Sequence, residues 1–274
     1  MIGGILRDLK YVARVLGRSR VFTAVAIASL AIGIGANTSI YSVIRVLLFD
    51  PMPVRSPDEL ALVYWHDGGG TTRISNISSS GHTDPATGRS YRSNYSYPLY
   101  AAIRDLADDD IDIAGFNFVR GLGVSFDDRP AVLAGGLMAD GRYFSVLQPG
   151  MALGRALDAA DDTLAEPMAV VISHGFWMRA FGGEASTVGR AIRVNGVPAL
   201  VVGVTARGFR GLSKGGFFPQ TDVTLPLRSL PRIMPRWQPE GGSLLTSERH
   251  FWVRLLARIA PAAQHGPLEA RLSA

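Results

Sequence analysis

The feature that most constrains this chain is a run of 24 residues without a charged side chain, from Val21 to Ile44. A helix of that length reaches about 36 Å, enough to cross a hydrocarbon core of roughly 30 Å. A short apolar stretch follows Arg45, and Asp50 with Pro51 ends the pattern. We therefore predict a transmembrane helix over residues 20–49. Two alternatives remain open, a cleaved signal peptide and the buried core helix of a soluble protein, although the apolar run exceeds the usual length of a signal peptide's apolar region.

Positive charge is concentrated before the apolar run. Residues 1–20 carry five basic side chains against Asp8 alone, so they account for four of the five net positive charges of the chain. This asymmetry predicts a cytoplasmic N-terminus, with the rest of the chain on the other side of the membrane. Apolar residues recur at three- and four-residue steps in residues 1–19, which predicts an amphipathic helix on membrane lipid. A nucleic-acid binder would spread its basic residues over a folded face, so we expect no nucleic-acid partner.

Small residues form two ridges along the predicted span. Ser29, Gly33 and Asn37 follow one another at four-residue steps, and Gly35 lies on a second such series. Small side chains let membrane helices approach closely, and an amide inside a bilayer needs a hydrogen-bond partner. We predict that Ser29, Gly33, Gly35 and Asn37 pack against other spans. The alternative is the ordinary small-residue content of a membrane helix.

The sequence after Pro51 predicts a mixed α+β domain over residues 50–274. Strands are predicted near 60–65, 111–119, 122–126, 131–138, 168–173, 222–227 and 251–259, and helical segments near 98–106, 141–147, 174–181 and after Pro261. Asn195-Gly196 predicts a tight turn between two strands over 191–204. Residues 67–96 are rich in Gly, Ser, Thr and Asn and predict a flexible insertion. Strands and helices alternate without a regular βαβ rhythm, which favours α+β.

The sequence contains no strong catalytic, metal or cofactor motif. Cysteine is absent, which excludes disulfides and thiol nucleophiles. Neither HExxH nor GxxxxGK[ST] occurs, and no GxSxG surrounds a serine. We therefore expect no catalytic residues, no metal ligands and no cofactor. A membrane-anchored hydrolase using Asp158, Asp161 or His174 is a weaker alternative.

Several segments resemble, in order, one family of membrane proteins. They are RDLKYVARVL at 7–16, FTAVAIASLAIGIGANTSIYSVIRVLLF at 22–49, DPMPV at 50–54, SPDEL at 56–60, SYPLYAAIRDL at 96–106, GRYFSVLQPGMALGRALDAADD at 141–162, VVISHGFWMRAFGG at 170–183, VGRAIRVNGVPALVVGVTARGFRGL at 188–212, DVTLPL at 222–227 and RHFWVRLLARIAP at 249–261. Together they resemble the permease subunits of MacB/FtsX-like ABC transporters.

This resemblance implies a membrane span that anchors an extracytoplasmic core domain in the inner cell membrane. It further implies a cytoplasmic P-loop ATPase, a homodimer or an assembly with other permease spans, and a periplasmic adaptor or substrate as partners. Such permeases act in efflux or lipoprotein handling and carry three more spans, so we expect this chain to be truncated before them. The alternative is a stand-alone, single-span anchored binding or sensor module.

Overall fold

The computed structural model of the chain describes residues 20–44, 53–66, 76–77, 81–106, 110–127, 129–164, 166–209, 211–212 and 220–261. The chain divides into two compact units, residues 1–50 and residues 51–274, and we call the second unit the sheet domain. The predicted amphipathic helix at 1–19 and the predicted helical segment after Pro261 lie outside the described residues.

The described part of the first unit is one helix, α1, from Arg20 to Ile44. Residues 20–42 of this helix are long and apolar enough to cross a membrane. Its large apolar side chains are exposed, with Val21 at 79% and Ile32 at 72% of full exposure. The prediction of one long N-terminal apolar helix is therefore confirmed.

The sheet domain is a mixed α+β fold, as predicted. Its described strands are Leu60–Leu62 (β1), Trp65–His66 (β2), Asn76–Ile77 (β3), Gly81–Thr83 (β4), Ser90–Arg92 (β5), Asn94–Ser96 (β6), Ile111–Ser125 (β7), Val132–Ala139 (β8), Met151–Gly154 (β9), Met168–Ile172 (β10), Ala191–Val194 (β11), Val197–Thr205 (β12), Val223–Pro226 (β13) and His250–Ile259 (β14). Its described α-helices are Tyr97–Arg104 (α2), Tyr143–Leu147 (α3), His174–Phe181 (α4) and Leu230–Ile233 (α5). A small separate sheet has the order β2-β5-β4.

The main sheet closes on itself through the long strand β7. The pairing runs β7-β11-β12-β10-β13-β8, and β8 pairs again with β7. A bulge between Val119 and Leu122, with Gly121 at φ +75°, bends β7 and lets its two halves serve different neighbours. The first half pairs with β14 and the end pairs with β11. The sheet is therefore a closed ring with β14 and β1 attached to one flank.

The core follows the alternation of side chains along the ring strands. In β10, Met168, Val170 and Ile172 belong to one buried cluster, whereas Ala169 and Val171 contact a second cluster. Residues 169 and 171 thus face the opposite side of the sheet from their neighbours, where α3 contributes Phe144 and other apolar side chains. The sheet is covered by apolar residues on both faces.

Local signals position helix α4 and the β11–β12 hairpin as predicted. The Ser173 hydroxyl accepts a hydrogen bond from the Phe176 N–H, and Gly182 ends α4 in the left-handed region at φ +65°. Asn195 and Gly196 have φ values of +48° and +82°, as a two-residue turn of this kind requires. β11 and β12 are therefore joined by the tight turn that the sequence indicates.

Two local predictions differ from the structure. The sequence predicts an irregular insertion at 67–96, yet β4, β5 and β6 form within it; its flexibility remains a prediction. These strands are only three residues long and mostly polar, and β4 is exposed and β5 partly exposed whereas β6 is buried, so they lack the apolar alternation by which a strand is recognised. The predicted helical segment near 98–106 ends at Arg104, so Leu106 lies beyond α2. Leu99 and Leu106 are 42% and 49% exposed, whereas Tyr100 is fully buried and Tyr97 and Ile103 pack against the core.

Candidate functional site

The predicted packing residues of α1 are exposed. Among the described residues, no atom lies within 4 Å of a side-chain carbon built on Gly33 or Gly35. Residues 29, 33 and 37 lie within about 80° of one another on a helical wheel, and Gly35 lies on the opposite side. The Ser39 hydroxyl, next on the ridge of Gly35, donates to the Gly35 carbonyl at 2.8 Å. The helix thus presents two small-residue faces, and their packing role stays a prediction.

The first and last described strands of the sheet domain are adjacent and antiparallel. β1 pairs with the end of β14, with Leu60 opposite Arg258 and Leu62 opposite Leu256. The chain approaches β1 through Ser56, whose φ of +42° is unusual for a residue other than glycine. We call the place where β1 and β14 lie side by side the strand junction.

Arg258 binds the strand junction together. Its Nη1 donates to Glu59 Oε2 at 2.8 Å and to the Ser56 carbonyl, its Nη2 donates to the Arg55 carbonyl at 2.8 Å, and its Nε donates to the Val146 carbonyl at 2.7 Å. The guanidinium is 12% exposed, so these charge-assisted bonds are largely shielded from water. One side chain of the last strand thus fixes the segment before β1 and the end of α3.

A second polar contact lies at the start of α2. The Tyr100 hydroxyl donates to Asp140 Oδ2, which also accepts the Gly115 N–H at 3.1 Å, while Oδ1 accepts the Arg142 N–H at 3.1 Å. Asp140 is 2% exposed. Burial raises the pKa of this carboxyl to about 6, against the opposing effect of the Tyr100 hydrogen bond. The Tyr100 ring rests on Gly115, where any side-chain carbon would come within 2.7 Å of it.

These contacts stabilise the domain, and the side chains in them are not arranged for catalysis. Sequence reasoning missed Arg258, Tyr100 and Asp140 as a positioning set. Tyr100 and Asp140 are 40 residues apart, and Arg258 and Glu59 are 199 apart, so no local spacing relates them. The only sequence signal is the tyrosine-proline segment at the start of α2, which the family resemblance singles out.

Of the residues of the hydrolase alternative, Asp158 and Asp161 share one loop, where the Asp158 N–H donates to Asp161 Oδ2 at 2.9 Å, whereas His174 lies elsewhere. Asp161 pairs with Arg155, with Nη2 and Oδ1 at 2.9 Å, and this hydrogen bond lowers the pKa of the Asp161 carboxyl. Asp158 accepts the Ala160 N–H in the same loop. His174 begins α4 with its ring edge-on to Trp177. Among the described residues, no hydrogen bond or ion pair joins His174 to either aspartate, and none of their acidic and histidine side chains forms a metal-binding group.

Comparison with known proteins gives a family and a fold. The family described as the MacB-like periplasmic core domain matches residues 23–274. A comparison with curated proteins finds no match. A permease domain from Porphyromonas gingivalis is 16% identical, covers 81% of this chain and 82% of its own, and has a TM-score of 0.52. At this identity the likeness concerns the fold alone.

Two further solved structures are similar over most of their length. The periplasmic region of MacB from Actinobacillus actinomycetemcomitans is 15% identical, with 71% of this chain and 78% of that one covered and a TM-score of 0.49. The extracellular domain of the noncanonic ABC-type transporter YknZ from Gram-positive bacteria is 13% identical, with 68% and 79% covered and a TM-score of 0.45. The family match covers most of α1 and the whole sheet domain, and this chain therefore belongs to the family of MacB-like periplasmic core domains.

Proposed function

We propose that this chain is the membrane-anchored part of a permease subunit in an ABC-type transporter for efflux or lipoprotein handling. Its N-terminus would be cytoplasmic, and its sheet domain would lie on the far side of the inner membrane. The observation that carries the proposal is the family match over residues 23–274, which includes most of α1 as well as the sheet domain. The basic residues that precede the apolar run support the orientation.

The strand junction supports a role in passing movement between membrane and domain. The chain enters the sheet domain shortly after α1 and forms β1 beside the end of β14. Because Arg258 binds both segments, a displacement of the segment before β1 acts on the last strand as well. In a permease whose outer domain responds to a cytoplasmic ATPase, this is where the response would enter the domain.

The two small-residue faces of α1 support assembly with other spans. A helix that presents Gly33 on one face and Gly35 on the other can contact two neighbours. A polar residue such as Asn37 is costly in lipid unless it meets a partner. We propose a homodimer or an assembly with further permease spans.

Crosslinking in native membranes tests the partnership. The chain is solubilised after crosslinking, captured through a C-terminal affinity tag, and its partners are identified by mass spectrometry. Recovery with a P-loop ATPase is the expected result. Recovery of the chain alone, at its own mass, would refute the transporter role and favour the stand-alone binding or sensor module.

Cysteine labelling tests the orientation, since the native sequence has no cysteine. Ser19→Cys places a thiol before the apolar run, and Glu248→Cys places one on an exposed position of the sheet domain. In spheroplasts, a membrane-impermeant maleimide is expected to label the second variant only. Labelling of the first variant alone would show the opposite orientation.

A further inference from the structure

A surface cleft in the sheet domain carries an unusual set of arginines. It consists of two adjoining cavities of about 270 and 280 Å³, both lined by Phe126 and Arg129. Arg193 lines the first cavity, and Arg179 and Arg190 line the second. We call the two cavities together the arginine cleft.

Aromatic rings hold the arginines in place. Phe126 and Phe181 stack with their ring centroids 4.3 Å apart. The Arg190 guanidinium lies 5.4 Å from the Phe126 centroid and 5.8 Å from that of Phe181, and Arg129 lies 5.6 Å from Phe126. Cation–π contacts of this kind orient a guanidinium and leave its N–H groups available to an anion.

The carboxylates of the cleft do not neutralise its arginines evenly. Asp127 and Glu184 both face Arg190, and the nearly buried Asp222 pairs with Arg179 at 2.8 Å. Within the part of the chain that the structure describes, neither Arg129 nor Arg193 has a carboxylate within ion-pair distance; Arg193 donates only to the Gly196 carbonyl. The first cavity therefore presents two exposed guanidinium groups that have no ion-pair partner among the described residues, while Asp127, the carboxylate that also lines it, is paired with Arg190.

In the same cavity, β11 has no β7 partner at its first residue, Ala191. β11 pairs with β12 over all four of its residues but with β7 only at Arg193 and Val194. The Asn195 N–H donates to the Gly123 carbonyl of β7 at 2.8 Å. Because main-chain groups alternate in direction along a strand, those of Ala191 point to the same side, where β7 has already ended. An extended peptide could add there.

We propose that the arginine cleft binds an acidic segment of a partner protein, which adds in extended form beside Ala191 and places its carboxylates on Arg129 and Arg193. Ala191 supplies main-chain hydrogen bonds, and the two arginines select for negative charge. Lone anions and anionic lipids can pair with the guanidinium groups, but they do not form main-chain hydrogen bonds with β11. The proposal does not depend on the permease role.

The test uses the full chain in phosphatidylcholine nanodiscs and a fluorescein-labelled peptide of five Glu-Val repeats. Fluorescence anisotropy is expected to show saturable binding, and a peptide of five Lys-Val repeats is expected not to bind. Arg129→Gln with Arg193→Gln should raise the Kd about tenfold or more, because hydrogen bonds to charged groups are lost. The matched control is Arg207→Gln with Arg236→Gln, which removes two exposed arginines outside the cleft and should leave the Kd unchanged.

A second variant separates an added strand from simple anion binding. Ala191→Pro removes one N–H at the first residue of β11, where proline is tolerated, and should weaken the peptide severalfold. Each variant is first checked by circular dichroism, and if the double variant misfolds, Arg129→Gln alone is used. Three results would each overturn the proposal. The Ala191→Pro variant could bind the peptide with the same Kd as the native chain, or millimolar inorganic phosphate could displace the peptide fully. The chain could also bind phosphatidylglycerol vesicles without binding the peptide.

Discussion

The buried Asp140 carboxyl makes a quantitative prediction about stability and pH. Its pKa is raised from 3.8 to about 6 because burial penalises the charged form more than the Tyr100 and Gly115 hydrogen bonds favour it. A shift of about two units corresponds to about 3 kcal/mol between the two protonation states. We expect Asp140→Asn to remove this pH-dependent contribution to the free energy of unfolding, because an amide does not ionise. The amide oxygen can still accept the hydrogen bonds from Tyr100 and Gly115.

The direction of the effect follows from the raised pKa. The folded chain holds the Asp140 proton more tightly than the unfolded chain does, so this group stabilises the fold fully below about pH 4. That stability is lost as the pH rises through about 6. The free energy of unfolding of the Asp140→Asn variant, relative to the native chain, should therefore increase by about 3 kcal/mol between pH 4 and pH 7. Burial also raises the pKa of Asp162, whose charge contributes to the raised pKa of Asp140, so the contribution of Asp162 cancels in the difference only in part.

Tryptophan fluorescence is a suitable assay, since all four tryptophans, at positions 65, 177, 237 and 252, lie in the sheet domain. Urea unfolding of the full chain in nanodiscs would be followed at pH 4, 5, 6 and 7. Asp158→Asn is the control, because that carboxylate is 62% exposed. If the native chain and Asp140→Asn give parallel curves across this range, folding does not raise the pKa of the carboxyl and the reasoning fails.

Three further predictions concern the strand junction, the sheet and the membrane helix. Arg258→Met should destabilise the sheet domain by about 3 kcal/mol in the same urea assay, whereas Glu59→Gln, which leaves the carbonyl partners of Arg258 in place, should cost under about 1 kcal/mol; equal costs would contradict the central role of the arginine. Gly203→Ala should cost about 2–3 kcal/mol, because its new methyl group would lie 2.0 Å from the Arg155 carbonyl oxygen; an unchanged urea midpoint would refute this close contact. Gly33→Leu should lower the yield of helix crosslinks in membranes but leave the urea midpoint unchanged; an unchanged yield would argue against packing on that face.

The predictable parts of this fold depend on neighbouring residues. Asn195-Gly196 predicts the turn of the β11–β12 hairpin, and the helical segment predicted near 174–181 coincides with α4, whose serine cap lies next to it in the chain. The apolar run predicts α1 for the same reason, because the mean hydropathy of consecutive residues can be read without knowing what the segment contacts. These elements are visible in sequence because their determinants lie within a few residues.

The ring closure and the contacts of the candidate site depend on residues far apart in the chain. β7 reads as two strands in sequence, because Arg120 and Gly121 interrupt its apolar pattern, yet the bulge keeps it continuous. Tyr100 reads as one more apolar residue of a helix, and its hydroxyl finds Asp140 only after folding. An arginine near the end of β14 gives no local hint that it binds the segment before β1.

The side-by-side arrangement of β1 and β14 has a mechanical consequence. A load that separates the two ends of the domain would open this antiparallel pair from its end, breaking one hydrogen bond after another, rather than sliding the strands in parallel. Such a zipper is mechanically weak unless its open end is fastened. Arg258 lies at that end, bound to Glu59 and to the carbonyls before β1, and Val54, earlier in the chain, is bridged to Pro149. The force at which this pair begins to open is thus set by the bridge at Val54 and the guanidinium group of Arg258, before any bond of the ladder is loaded.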